Sequence, residues 1–323
     1  MSTSEQRETP TMRAMVATEW GAPNVLAEQQ VDKPEPGPTE IRVAVHAVGI
    51  NPVDWKSRQS GSFDLWGDPV IIGWDVSGTV EAVGYGASLF EVGDEVIGMP
   101  LFPKQAGAYA EFVVAPSRQF IKKPEGLSHV EGASLPLVGL TAWQGLVEVG
   151  GVNGGERVLI HAAGGGLGHI AVQLAKARGA YVIGTASPDK HEWLASLGAD
   201  ELIDYRSVDF AEVARDIDVV LDTVGGDYAE RSVKTLRDGG RLVSIAGGEP
   251  SEAAQKAAAA RGIKTGVTLV EPDRHGLLEL AALVEAGTLR PTIAATFPLD
   301  RVADAHALGE QGSTAGKIVL TVR

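Results

Sequence analysis

A chain of 323 residues, 44% hydrophobic and 22% charged, has the length and apolar content for two domains with cores of their own. Its net charge of −14 offers no concentrated cationic face for nucleic acid or an anionic membrane, and no apolar run approaches the ~20 residues that cross a bilayer. Cysteine is absent, which excludes disulfides, thiolate nucleophiles and cysteine-ligated zinc; with neither a basic nor an apolar leader at the start, the expected setting is the cytoplasm.

Residues 1–11 are polar and aperiodic and read as a disordered tail. From Met12 onward, short alternating runs such as Ile41-Arg42-Val43-Ala44-Val45 and Gly78-Thr79-Val80-Glu81-Ala82-Val83 are separated by Gly/Pro clusters, the pattern of antiparallel strands joined by turns. After about Ser134 the texture changes to strand, helix, strand. Arg157–His161 leads through a glycine cluster into Ile170–Ala177, whose apolar spacing is helical, and five more β-like runs follow, near Ala180, Glu201, Ile217, Arg241 and Ile263. Six strands with crossovers predict an α/β fold with a doubly wound, six-stranded parallel sheet of the Rossmann type. The tail is again strand, helix, strand, from Pro291, Arg301 and Gly316; periodicity leaves open whether it extends that sheet or returns to the first domain.

Ala163-Gly164-Gly165-Gly166-Leu167-Gly168 lies at the first strand-to-helix junction. Taken as A-x-G-x-x-G, it puts Gly165 where backbone approaches a pyrophosphate and Gly168 where the helix packs closely on the sheet, with the phosphates at the helix N-terminus. An acidic side chain at the end of the second strand would select NAD; here the strand ends Gly184-Thr185-Ala186-Ser187 without a carboxylate. Ser187 can donate to a 2′-phosphate and Lys190 can neutralise it, so NADPH is the expected cofactor, although Ser187 before Pro188 also suits a helix cap. Val224-Gly225 and Ala246-Gly247 follow the fourth and fifth strands, at the sheet edge a dinucleotide would cross.

The stretches Gly49-Ile50-Asn51-Pro52-Val53-Asp54-Trp55-Lys56, Gly73-Trp74-Asp75-Val76-Ser77-Gly78, Val92-Gly93-Asp94-Glu95-Val96, Gly139-Leu140-Thr141-Ala142-Trp143, Ser196-Leu197-Gly198-Ala199-Asp200 and Gly316-Lys317-Ile318-Val319-Leu320, with the glycine loop, resemble the zinc-independent quinone oxidoreductase (zeta-crystallin-like) branch of the medium-chain dehydrogenase/reductases. The resemblance extends over nearly all of 12–323. It implies a GroES-like β-rich catalytic domain from 12–133 and 272–323, a Rossmann domain over 134–271, an active site in the cleft between them, and a homodimer formed through Ile263–Val267. In zinc-dependent relatives a Cys and a His-Glu pair hold the catalytic metal; matched by motif, Asn51 and Trp74-Asp75 stand there instead, and no metal is expected. Asn51 and Thr141 are implied near the nicotinamide and Tyr205 near the adenine ribose phosphate, while Lys317 joins the cofactor set.

Without a Lewis acid a simple ketone loses its main source of alkoxide stabilisation, whereas a quinone or enone moves charge to an oxygen that hydrogen bonds can hold. Hydride transfer from NADPH to such an acceptor is therefore the leading expectation. Two others stand beside it, an enoyl or tailoring reductase of a biosynthetic intermediate and a non-catalytic, crystallin-like NADPH binder. Asn51, the alternative being a turn residue before Pro52, and Lys56, the alternative being a solvated lysine, are the candidate catalytic residues; some relatives carry tyrosines where this chain has Lys56 and Phe63. Trp55, Trp66 and Trp74 could wall a flat ligand or simply pack.

Overall fold

The computed structural model describes residues 10–62, 67–245 and 248–323. Of the tail expected over 1–11, residues 1–9 lie outside the described residues and Thr11 already pairs with Asp32 in a hairpin of β1 (Thr11–Ala17) and β2 (Leu26–Asp32). The centre of the first sheet is β3 (Glu40–Ile50), which extends well past the run that alternation marks, because Ala47-Val48-Gly49-Ile50 is covered on both faces. It ends at Asn51 and Pro52, where α1 (Pro52–Ser60) begins with proline in the first turn, a position that needs no N–H. The sheet is continued by β4 (Val76–Val83), β5 (Glu95–Gly98), β6 (Phe112–Pro116) and β7 (Phe120–Lys122). Two helices, α2 (His129–Ala133), capped by Ser128 with Glu131 three residues on, and α3 (Pro136–Trp143), lead out of it.

The second sheet alternates strand and helix: β8 (Arg157–Ile160), α4 (Gly168–Ala177), β9 (Tyr181–Ala186), α5 (His191–Ser196), β10 (Glu201–Asp204), α6 (Phe210–Val213), β11 (Ile217–Asp222), α7 (Tyr228–Thr235), β12 (Leu236–Ser244), α8 (Glu252–Ala260) and β13 (Lys264–Val267). All pairings are parallel, in the order β10-β9-β8-β11-β12-β13. Val158, Leu159 and Ile160 are fully buried, as expected where helices cover both faces of a parallel sheet. Leu159, Val220 and Leu242 pack with Phe210 and Val233 on one face, while Val158, Leu221 and Val243 join the core on the other. Strand order reverses between β8 and β11, and ligands of such sheets bind outside the carboxyl ends of the strands at that point.

The question that periodicity leaves open is answered by α9 (Arg274–Glu285), β14 (Ile293–Pro298), α10 (Val302–Glu310) and β15 (Lys317–Thr321). β15 runs parallel to β14 and antiparallel to β3, pairing Ile318 with Ile50, so the segment returns to the first sheet and brings Lys317 beside Asn51. Among the described residues no helix is long and apolar enough to cross a membrane.

Candidate active site

The turn between β8 and α4 is shaped by close approach. A Cβ added to Gly168 would lie 2.3 Å from the Ala162 carbonyl oxygen and 2.6 Å from Ala163 Cα, so α4 can start this near the strand only with glycine there. Ala163 is buried, with its N–H donating to the Thr185 carbonyl at 2.9 Å; around Gly165 the nearest obstacle is the loop's own Ala162 carbonyl, 3.3 Å away. Gly166 and Leu167 complete the turn. The backbone at Gly165 therefore stays open to a ligand at the positive end of α4.

Four side chains gather beyond β9 and β10. Ser187 is buried and does not cap the turn that follows it; its hydroxyl bonds Asp189, which holds that carboxylate below the usual range. Arg206 lies 4.0 Å from Asp189, its guanidinium 5.8 Å from the ring centre of Tyr205, which is 46% exposed. Lys190 is placed differently from its neighbours. Its stem crosses Gly164 and its ammonium donates to the Thr314 carbonyl at 3.0 Å, which uses one of three donors. After β11, the N–H groups of Val224 and Gly225 both donate to Asp222 Oδ1, at 2.9 and 3.0 Å, leaving Val224 exposed at the sheet edge. Ala246 and Gly247 lie outside the described residues, as do Phe63 and Trp66.

Beside the glycine turn, residues from distant parts of the chain form one buried cluster. Lys317, 2% exposed, runs its stem past Gly166, where an added Cβ would be 3.1 Å from Cδ. Its ammonium donates to the Ile50 carbonyl at 2.8 Å and to Asn51 Oδ1, and lies 3.5 Å from Asp75 Oδ2. Asn51 Nδ2 donates to Asp75 Oδ2 at 2.8 Å, and the other carboxylate oxygen accepts the Leu137 N–H at 2.7 Å, so Asp75 satisfies the start of α3. Gly49 makes room, since a Cβ there would meet Asp75 Oδ2 at 2.8 Å. Asp54 accepts the Asn51 N–H at 2.6 Å; burial, with the Asp75 charge adding to it, pushes its carboxyl up to about 7. Burial also raises Asp75 and lowers Lys317, while each opposes the other's shift by its charge.

Asn51 has no exposed surface and both ends of its amide are committed within the cluster. The Thr141 hydroxyl donates back to the Leu137 carbonyl at 2.6 Å. Lys56 is exposed on α1. Trp74 is core rather than wall: it is fully buried, packs edge-on to Phe102 and donates to the Lys104 carbonyl at 2.7 Å. Trp55 packs against Gly309 and, edge-on, against His306. Sequence reasoning missed a second buried chain, in which Arg58 bonds Glu310 at 2.5 Å and His306 Nδ1 at 3.2 Å, and His306 Nε2 lies 2.8 Å from the Tyr109 hydroxyl. Arginine can only donate, so His306 carries its proton on Nε2. It also missed His169 and Gln173 of α4, which reach the segment before β14. Nothing in the sequence pairs Arg58 with Glu310 and His306, or α4 with residues 290–292.

The positions matched to zinc ligands do not fit a cation. The Trp74 indole is turned to Lys104, both Asp75 oxygens are occupied, and a lysine ammonium already lies among the donors.

A GroES-like sheet joined to a six-stranded Rossmann sheet, with a glycine turn facing a buried Asn-Asp-Lys cluster, defines a medium-chain dehydrogenase/reductase. The family description "Alcohol dehydrogenase GroES-like domain" matches residues 37–125 and "Zinc-binding dehydrogenase" matches residues 197–320. The chain is similar to human quinone oxidoreductase, 32% identical over 324 residues, covering 96% of this chain and 97% of that protein. It is 36% identical over 303 residues to pikromycin polyketide synthase component PikAII of Streptomyces venezuelae, covering 90% of this chain but spanning only 8% of that protein. Among solved structures, the quinone oxidoreductase from Coxiella burnetii superposes with a TM-score of 0.89 at 36% identity over 97% of this chain and 100% of that one. A mycobacterial protein solved with NADPH gives 0.86 at 30% identity, over 96% and 100%. The chain belongs to the quinone oxidoreductase branch of the medium-chain dehydrogenase/reductase superfamily and is an oxidoreductase of the NAD(P)H-dependent kind.

Proposed function

We propose that the chain uses NADPH to reduce a small conjugated acceptor, a quinone or an α,β-unsaturated carbonyl, without zinc. The observation that carries this reading is the Lys317–Asp75–Asn51 cluster beside the glycine loop, a saturated ion pair in place of a metal's donor set. When bound, NADPH supplies the hydride, and a conjugated acceptor asks the protein only for orientation and hydrogen bonds. Ala163, Gly165, Gly166, Leu167 and Gly168 with the start of α4 would hold the pyrophosphate. Ser187, Lys190 and Tyr205 would hold the 2′-phosphate end. Val224, Gly225, Thr141, Asn51 and Lys317 would border the nicotinamide end. Asn51 acts here by position, through Lys317 and Asp75, while Lys56 or water returns the proton.

NADPH over NADH is supported by the absence of a carboxylate at the end of β9 and by the mycobacterial neighbour solved with that nucleotide. The edge strand β13, with Val267 exposed, is suited to pairing with a second copy, so a homodimer, with the cytoplasm as its compartment, is part of the reading. The polyketide synthase likeness favours a second reading, an enoyl reductase of a biosynthetic intermediate.

Titration with NADPH and NADH, followed by nicotinamide fluorescence, should give NADPH an advantage of at least about tenfold, the worth of a charge-assisted phosphate contact. A panel of quinones, free enones and enoyl thioesters then separates the two readings. Turnover restricted to thioesters selects the second; binding of neither nucleotide overturns both.

A further inference from the structure

We infer that His169 is a positioning residue that carries the state of the glycine loop to Lys317 through Thr292. The inference rests on the reading that a dinucleotide binds at that loop.

His169 is buried in the first turn of α4, under the tilted ring of Trp193 at 5.8 Å. Nδ1 lies 3.0 Å from the Gly165 carbonyl and Nε2 lies 3.0 Å from the Thr292 backbone nitrogen. A backbone N–H can only donate, so Nε2 accepts and the ring proton sits on Nδ1, where it is donated to Gly165. Burial lowers the pKa to about 4 and keeps this neutral tautomer at ordinary pH. The Thr292 carbonyl in turn accepts the Lys317 N–H at 2.9 Å. A single residue thus connects the imidazole to the lysine that holds Asn51 and the end of β3.

One turn further along the same helix face, Gln173 closes both backbone groups of Arg290, donating to its carbonyl at 3.1 Å and accepting its N–H at 2.9 Å. These contacts dock 290–292 onto α4 much as a neighbouring strand would. Any buried imidazole must pair its ring nitrogens; here the partners are the loop carbonyl four residues back and the backbone N–H that leads into β14. Here one nitrogen reads the loop and the other holds the opposite sheet, so a phosphate settling at Gly165 acts on Lys317 without touching it.

The two halves of the ring can be separated chemically. Asparagine reaches only the Nδ1 position and can serve Gly165; glutamine reaches the Nε2 position and can accept from Thr292. Amide hydrogen exchange is measured over 290–293 and 316–319 with and without NADPH. In the wild-type protein, NADPH should slow exchange there at least about fivefold, the lower end of ordinary coupling. In His169→Asn, which loses the Thr292 contact, and in His169→Gln, which loses the Gly165 contact, NADPH should still bind while that slowing is lost. Wild-type slowing in either His169 variant overturns the inference, as does no slowing in a wild-type protein that binds NADPH. Failure of the wild type to bind NADPH overturns the cofactor reading and this inference with it. Should neither His169 variant fold, Gln173→Met, which keeps the volume, must diminish the slowing over 290–293; wild-type slowing in that variant overturns the inference.

Discussion

Two regions meet where the stem of Lys317 passes Gly166, and they are built in opposite ways. The turn from Ala162 to Gly168 depends on missing side chains: space at Gly165, contact at Gly168, and backbone left available at the start of α4. The cluster around Lys317 depends on side chains that are present and bonded to one another, with Asn51, Asp75 and Asp54 all without exposed surface. A site for a transient anion must keep its donors unspent, whereas a buried charge is tolerated only when every partner is in place. The first region can lose affinity without unfolding; the second cannot lose a member cheaply.

The largest expected effect breaks the second region. Lys317→Met leaves Asp75 and Asn51 Oδ1 without their cation and should cost about 3–5 kcal/mol in urea unfolding, with Lys317→Met/Asp75→Asn recovering part of it. Gly168→Ala should cost about 1–3 kcal/mol by overpacking, and should weaken nucleotide binding more than its stability loss explains, because the displaced atoms are loop backbone. Lys190→Ala should weaken NADPH about tenfold in a binding titration and leave NADH unchanged; equal loss for both would assign the lysine to its Thr314 contact alone.

The smallest effect concerns Asp54. Its folded pKa of about 7 lies above the ordinary carboxylate value, so between those pH values the folded protein keeps a proton that the unfolded chain has released. Its contribution to stability is complete below the unfolded value of about 4 and declines as pH rises to about 7. Asp54→Asn mimics the protonated carboxyl. It should match wild type within about 1 kcal/mol near pH 5 and show a shallower fall in stability toward pH 7, measured by urea titration at each pH.

The same contrast explains what could be read in advance. Six parallel strands and the glycine turn are encoded locally, in apolar runs and in a spacing of three residues, so they were legible before any contact was known. Asn51, Asp75 and Lys317 could be singled out by resemblance, but not their pairing, because no local pattern records that residue 317 reaches residue 51. Lys190 was read from its charge and position at a strand end; its bond to Thr314 depends on a turn that belongs to the other sheet. Trp74 sat in an aromatic-rich stretch that suggested a ligand wall. Its indole found a carbonyl partner at Lys104 and was buried, as a tryptophan N–H generally is when it leaves water.

The placement of β15 between β14 and β3 has a consequence for how the molecule comes into being. The contact from Lys317 to Asn51 closes across 266 residues, the kind of long-range pairing whose entropy is met late in folding. Every strand of the parallel sheet, by contrast, lies within 157–267 and can pair as soon as that stretch has been made. While the chain is still emerging, β3 has an open edge and Asp75 lacks its counter-charge. A growing chain can therefore assemble the nucleotide sheet well before it has the pocket that would use it, and β15, which follows that sheet in the chain, completes the site.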